Sequence, residues 1–262
     1  MSIKFQKAIK YFIILSLLTF GYSANLLADG VMIIEKPGNT VIPVKQNKVR
    51  MVKETVKITP DNFVKYKVDA VFSFENTTDR TIHFYMGFPF TDNIRGDADV
   101  FISYVDGKEV SVTKKSVNKV MKSRIKSKFG TGYYYQYDYM YTWPITFKPH
   151  EKKIIECIYF IQWLDDRGLS GYITYITKTG ALWEGTIEQA DFSIEIPYEY
   201  FNSKVYTLNM SPKGYTVSSK TVGVTLIGIG EGLPYKKVEW HFQNWKPTED
   251  IHLEFYKNGK RE

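Results

Sequence analysis

The sequence predicts an all-β protein made of antiparallel β-sandwich modules. Three observations carry that reading: apolar and polar residues alternate over many short runs, turn residues punctuate the runs, and aromatic side chains abound. The chain holds 20 Tyr, 17 Phe and 5 Trp, residues that fit a pleated, half-buried surface. Short strands at close spacing, separated by Gly and Pro, favour a sandwich over an α/β fold.

Residues 64–74 set the pattern. Val64, Tyr66, Val68, Ala70, Phe72 and Phe74 alternate with Lys65, Lys67, Asp69 and Ser73, the period of two that marks a half-buried strand. Asn76-Thr77-Thr78-Asp79 is a turn cluster that ends it. Residues 82–88 read as the next strand, running into Pro89, with a loop over 92–97. Residues 100–105 and 109–112 flank Asp106-Gly107, a two-residue signal for a type I′ hairpin. Together these form a predicted N-terminal β module, residues 29–112.

The β rhythm returns in a predicted C-terminal sandwich module, residues 130–262. Residues 151–163 are apolar on both faces, as for a central strand covered from both sides. A turn at Asp165-Asp166-Arg167-Gly168 leads to a strand over 172–177. Phe192, Ile194 and Ile196 point inward from a further strand, and Val238, Trp240 and Phe242, then Ile251, Leu253 and Phe255, do the same. Between the modules, residues 113–129 break the rhythm. Val117, Val120, Met121 and Ile125 sit at i, i+3, i+4 and i+8, which predicts a short basic helical connector.

The first 28 residues read as a secretory signal. Lys4, Lys7 and Lys10 form a positive start, and residues 11–20 are a ten-residue apolar run. A span of the bilayer's hydrocarbon takes about 20 helical residues, so this run is too short for one. Small residues follow at Gly21, Ser23, Ala24 and Ala28, where cleavage requires them. The expected location is exported, periplasmic or extracellular, with no transmembrane span after cleavage. Cys157 is the only cysteine, so no intramolecular disulfide is possible and the core alone must hold the fold.

Basic character is local. Without the three signal lysines, 32 basic residues face 28 acidic ones, a charge of +4. Lys114, Lys115, Lys119, Lys122, Arg124, Lys126 and Lys128 supply seven of those positives with no acid among them. On a helix Lys115/Lys119 and Lys122/Lys126 are like-charge i, i+4 pairs, each unfavourable by about 0.2–0.5 kcal/mol. An external anion would relieve them. Lys115, Lys119, Lys122, Arg124 and Lys126 are therefore candidate anion-binding residues for an envelope component: a phospholipid headgroup, a polysaccharide or an acidic protein. A solvated charged face is the plain alternative. Export argues against nucleic acid as a partner.

The second feature is the run YYYQYDYMYTW over residues 133–143. Tyr133, Tyr135, Tyr137, Tyr139, Tyr141 and Trp143 share one face of a strand. Core packing is the favoured reading, because such a face left in water is an aggregation liability. A ligand platform is the alternative, since buried tyrosine hydroxyls each need a partner.

No catalytic, metal or cofactor signature stands out. Gly228-Ile229-Gly230-Glu231-Gly232 is followed by another strand, and not by the helix a phosphate loop opens. Ser170 lacks nucleophile-elbow spacing. His83, His150, His241 and His252 include no i, i+4 pair, although His241 and His252 fall on strands expected to pair. Asp92, Asp97 and Asp99 form an incomplete calcium ladder. Cys157, between Ile155 and Tyr159, reads as a buried small hydrophobe. A carbohydrate-active enzyme or carbohydrate-binding domain on the tyrosine-rich strand remains an alternative. The enzyme would need two carboxylates about 5–9 Å apart, with Asp138, Asp165 and Asp166 as candidates.

Five segments carry a family resemblance: Ala28-Asp29-Gly30; Phe72-Ser73-Phe74-Glu75-Asn76; Gly87-Phe88-Pro89; Thr179-Gly180-Ala181-Leu182-Trp183-Glu184-Gly185-Thr186-Ile187; and Asn244-Trp245-Lys246-Pro247. In these the chain resembles the bacterial exported family labelled domain of unknown function 4424. The resemblance implies an envelope location and a β-rich fold, with no established activity. The expectation is a non-enzymatic binding or structural protein of the cell envelope.

Overall fold

Alternation along each strand becomes burial on one side of a broad sheet. In the computed structural model, residues 26–28, 30–36, 40–43, 45–61, 65–90, 100–117, 139–162, 170–221 and 234–258 are described. The strands begin with β1 (Leu26–Ala28), β2 (Val31–Lys36), β3 (Thr40–Pro43), β4 (Val49–Pro60), β5 (Lys65–Asn76) and β6 (Ile82–Phe90). Next come β7 (Phe101–Val105), β8 (Lys108–Val110), β9 (Thr113–Val117), β10 (Tyr139–Phe147), β11 (Lys152–Gln162) and β12 (Ser170–Ile176). The series ends with β13 (Ile187–Pro197), β14 (Tyr206–Ser211), β15 (Thr216–Thr221), β16 (Pro234–Trp245) and β17 (Ile251–Lys257). The helical elements among the described residues are two short 3-10 turns, Lys178–Leu182 and Tyr198–Phe201.

An eight-stranded sheet, in the order β15-β16-β13-β4-β5-β11-β7-β8, is the frame. Its register aligns Trp240, Phe192, Val56, Ala70, Cys157 and Ser103 across six strands, and all six are buried. Two smaller sheets cover that face. A closed five-stranded barrel, β10-β6-β2-β3-β9, lies over the β5-β11-β7 part: Phe101 stacks on Tyr141 at 4.7 Å, and Phe88 meets Tyr159 edge-on at 5.4 Å. A four-stranded sheet, β1-β12-β17-β14, meets the β13 side through Tyr175 and Phe192 at 5.8 Å. The fold is thus all-β and sandwich-like, with one core between layers.

The hairpin at Asp106-Gly107 forms as expected. Val105 pairs with Lys108, and both turn residues have positive φ, 52° and 75°, the left-handed pair that type I′ requires.

Three expectations are corrected. The division into modules at 29–112 and 130–262 does not follow the sheets. Strands β4, β5, β7 and β8 interleave with β11, β13, β15 and β16 in one sheet, because long-range strand pairing links the two halves. The helical connector does not begin at 113: Thr113–Val117 is strand β9, paired with β10 from Thr113↔Thr142 to Ser116↔Tyr139. Pairing with an adjacent strand satisfies the backbone groups that a lone basic helix would have to satisfy by itself. The remainder of that segment, 118–129, lies outside the described residues. Finally, β11 is central but covered on one side only. Ile155, Cys157, Tyr159 and Ile161 are buried, while Ile154 is 55% exposed on the outer face.

Candidate functional site

A groove of about 630 Å³ opens where β2 parts from β6. Met32 and Ile33 of β2, Ile82, His83, Phe84 and Tyr85 of β6, and residues 45–49 line it. Its origin is a mismatch in pairing length. Strand β2 pairs with β6 only from Val31↔Gly87 to Ile33↔Tyr85, then continues alongside β3. Strand β6 runs on to Ile82 with β10 on its other side. Among the described residues no strand pairs with Ile82, His83 and Phe84 on the β2 side.

The facing wall, residues 45–49, is held by a local network. Gln46 is buried. Its Oε1 accepts from the N–H groups of Lys48 and Val49, both at 2.7 Å, its Nε2 donates to the Val49 carbonyl, and its own N–H donates to the Leu182 carbonyl at 3.1 Å. The Lys48 carbonyl accepts from the Thr77 N–H at 2.9 Å and the Thr77 hydroxyl at 3.1 Å. The Glu184 N–H donates to the Val49 carbonyl at 3.2 Å, and its carboxylate accepts from the Thr77 hydroxyl at 2.6 Å.

Four of the five segments carrying the family resemblance are linked to one another beside this wall. Trp183, between Leu182 and Glu184, donates its indole N–H to the Gly30 carbonyl at 2.8 Å and packs on Phe74 and Phe84. Buried Asn76 donates to the Arg80 and Lys148 carbonyls at 2.7 Å and accepts from the Thr78 N–H at 3.0 Å. Trp245 pairs with Ile187, and the Lys246 ammonium donates to the Gly185 carbonyl at 3.5 Å.

Chemically the groove is amphipathic and cationic. Lys45 and Lys48 are exposed on the wall, and among the described residues neither forms an ion pair with a carboxylate. His83 Nδ1 lies 2.7 Å from the Thr146 hydroxyl. Tyr85 is 40% exposed, and the Lys115 ammonium sits 5.1 Å over its ring, a cation–π contact. No acidic side chain is among the described lining residues. Lys45, Lys48 and Tyr85 escaped the sequence reading, although the Lys45-Gln46-Asn47-Lys48 run was a visible signal of an exposed basic turn.

Of the sequence-predicted anion binders, Lys115 thus reaches the groove rim. Lys119, Lys122, Arg124 and Lys126 lie outside the described residues. Neighbouring Lys114 places its ammonium 3.8 Å over the Tyr139 ring. The described half of the aromatic run is core and not a platform: Tyr139, Tyr141 and Trp143 are all buried, because β10 presents that face to the eight-stranded sheet. Tyr133, Tyr135 and Tyr137 are outside the described residues, as are Asp92, Asp97, Asp99, Asp138, Asp165, Asp166 and residues 228–232.

Cys157 is buried with Sγ 3.8 Å from the Ser103 hydroxyl. His241 and His252 do not meet. Their strands belong to different sheets, and they contact Asp191 at 2.9 Å and Thr174 at 2.7 Å respectively.

Glu54 went unnoticed in the sequence. It is fully buried between Phe72 and Ala190 on the core face. Burial pushes its carboxyl up to about 8, against the influence of Tyr175, which favours the charged form. The signal was its phase with Val56 and Ile58. A β-bulge between Met51 and Lys53 disguised it by switching the buried positions from odd to even.

Fold and groove together define an all-β protein with a cationic cleft at a strand divergence. No protein-family model matches the chain, and no curated protein is similar to it. Among solved structures, a protein from Legionella pneumophila, provisionally assigned as a nutrient binding protein, is similar at 20% identity with a TM-score of 0.61. The match covers 88% of this chain and 71% of that one, and shows a shared fold. A provisionally assigned protease from Parabacteroides distasonis is 9% identical over 80% of this chain and 40% of its own, with a TM-score of 0.43. An M1 zinc metallopeptidase from Deinococcus radiodurans is 10% identical over 82% of this chain and 43% of its own, with a TM-score of 0.36. At those scores the two enzymes carry no argument about this chain.

Proposed function

We propose that this chain is a non-enzymatic binding protein of the bacterial cell envelope, a member of the exported family labelled domain of unknown function 4424, and that its groove holds an anionic envelope component. The observation that carries the binding role is the groove itself. An apolar floor and a wall bearing Lys45 and Lys48, with Lys115 at the rim, form a concave site without a carboxylate among its described lining residues. Such a combination of apolar surface with a few fixed polar groups is typical of ligand sites. The nutrient-binding assignment of the Legionella protein of like fold is compatible with it. Export rests on the basic start and the short apolar run of residues 11–20.

Two measurements test this reading. Titration of the protein with anionic phospholipid vesicles, an acidic polysaccharide and an acidic peptide should find saturable binding to one of them. That binding should be lost in Lys45→Glu/Lys48→Glu and should weaken with salt, as exposed charges do beyond a screening length of about 8 Å at physiological ionic strength. Absence of binding to all three would overturn the groove assignment. Mass spectrometry of the protein from its host should find a mature start between Ser23 and Asp29; an intact Met1 in the membrane fraction would overturn cleavable export.

A further inference from the structure

We infer that the groove takes an extended acidic peptide segment of a partner protein, which adds as a strand along β6 at Ile82, His83 and Phe84. This rests on the reading of the groove as the binding site and names the class of its ligand.

The backbone supplies the first reason. Strand β6 is paired with β10 along its whole length, from Ile82↔Phe147 to Phe90↔Tyr139. On its other side, among the described residues, β2 covers only Tyr85 to Gly87. Along a strand, N–H and C=O groups project to alternate sides, so the uncovered stretch offers main-chain donors and acceptors into the groove. A polypeptide in extended form matches them in register, which is how strand addition gains affinity. A headgroup or a sugar chain carries no such repeat.

Side chains supply the second reason. Register places Ile82 with Phe147 and Phe84 with Ile145 on the core-facing side, while His83 and Tyr85 share the opposite side with Thr146 and Pro144. An added strand would therefore have one apolar neighbour row and one polar, aromatic row. The facing wall brings Lys45 and Lys48, and Lys115 stands over Tyr85. A segment alternating acidic and apolar residues is the complement of that arrangement.

The wall also resists collapse onto β6. Gln46, Leu182, Thr77 and Glu184 anchor residues 46–49 from behind. Hydrogen bonds thus fix the position of residues 46–49.

Fluorescence anisotropy with a labelled octapeptide of alternating Glu and Val tests the inference. Two control peptides carry N-methyl groups on the odd or on the even backbone nitrogens, because only one set faces β6. The unmodified peptide should bind, and one methylated form should bind about tenfold more weakly or worse, the loss expected when hydrogen-bonding groups are left unpaired. Amide exchange within residues 82–84 should slow on binding, and Lys45→Glu/Lys48→Glu should abolish it. Equal binding of all three peptides, or no slowing at residues 82–84, would overturn strand addition. Binding of anionic vesicles or polysaccharide without peptide binding would overturn this inference and leave the anion-binding role standing. No binding of any anionic probe would overturn both.

Discussion

The indole N–H of Trp183 donates to the carbonyl oxygen of Gly30 across 2.8 Å, joining residues 153 positions apart. Both residues are buried. Trp183 sits at the end of a 3-10 turn, and its ring lies 4.6 Å from that of Phe74 and 6.2 Å from that of Phe84. It therefore ties the start of β2 to the eight-stranded sheet, while Leu182 and Glu184 on either side hold the groove wall.

Trp183→Phe should keep most of the packing and lose the hydrogen bond. The Gly30 carbonyl would be left unsatisfied, at about 1–3 kcal/mol. Trp183→Ala should cost about 3–5 kcal/mol, as other aromatic core truncations do. Urea titrations measure both, and a Trp183→Phe variant as stable as wild type would show that the indole N–H contributes nothing.

Glu54 predicts a pH dependence. The folded carboxyl stays protonated up to about 8, against an ordinary value of 4.5. Between those values the unfolded chain binds fewer protons than the folded one. Stability from this group therefore falls as pH rises through that window and is flat above it. Glu54→Gln should remove the decline, so that denaturation midpoints of mutant and wild type diverge from pH 5 to pH 8 in the mutant's favour. Parallel curves would show that Glu54 is ionised in the native core.

Tyr139→Ala, Tyr141→Ala and Trp143→Ala should each cost about 3–5 kcal/mol. These side chains pack against Phe90 and Phe101. Thermal melts give the result directly; an unchanged melting temperature would return these residues to the role of a binding surface.

The Asp106-Gly107 turn separates two effects. A Cβ at Gly107 meets nothing within 4 Å, but φ is +75°. Gly107→Ala should thus cost about 1 kcal/mol from the backbone alone. Asp106→Ala loses more, because the Asp106 carboxylate accepts from the Ile154 N–H at 2.9 Å and the Lys153 ammonium at 3.1 Å. Asp106→Asn, which tolerates positive φ and keeps an acceptor, should fall between wild type and Asp106→Ala in thermal melts.

Much of this protein was legible one strand at a time. The alternations through Phe72, Phe192 and Leu253, and the hairpin at Asp106, follow from local physics: side chains on a strand alternate faces, and few residues accept positive φ. Burial of Cys157 and of Tyr139, Tyr141 and Trp143 was readable for the same reason. Sheet membership was not. Which strands pair is a long-range choice, so the two halves merge through β13 and β4, and Thr113–Val117 becomes a strand because β10 is beside it. Nor was the groove, whose lining comes from residues 32–33, 45–49 and 82–85. A cleft exists only where one strand stops pairing before its neighbour does, and that length difference is a property of the assembled barrel, invisible in either strand alone.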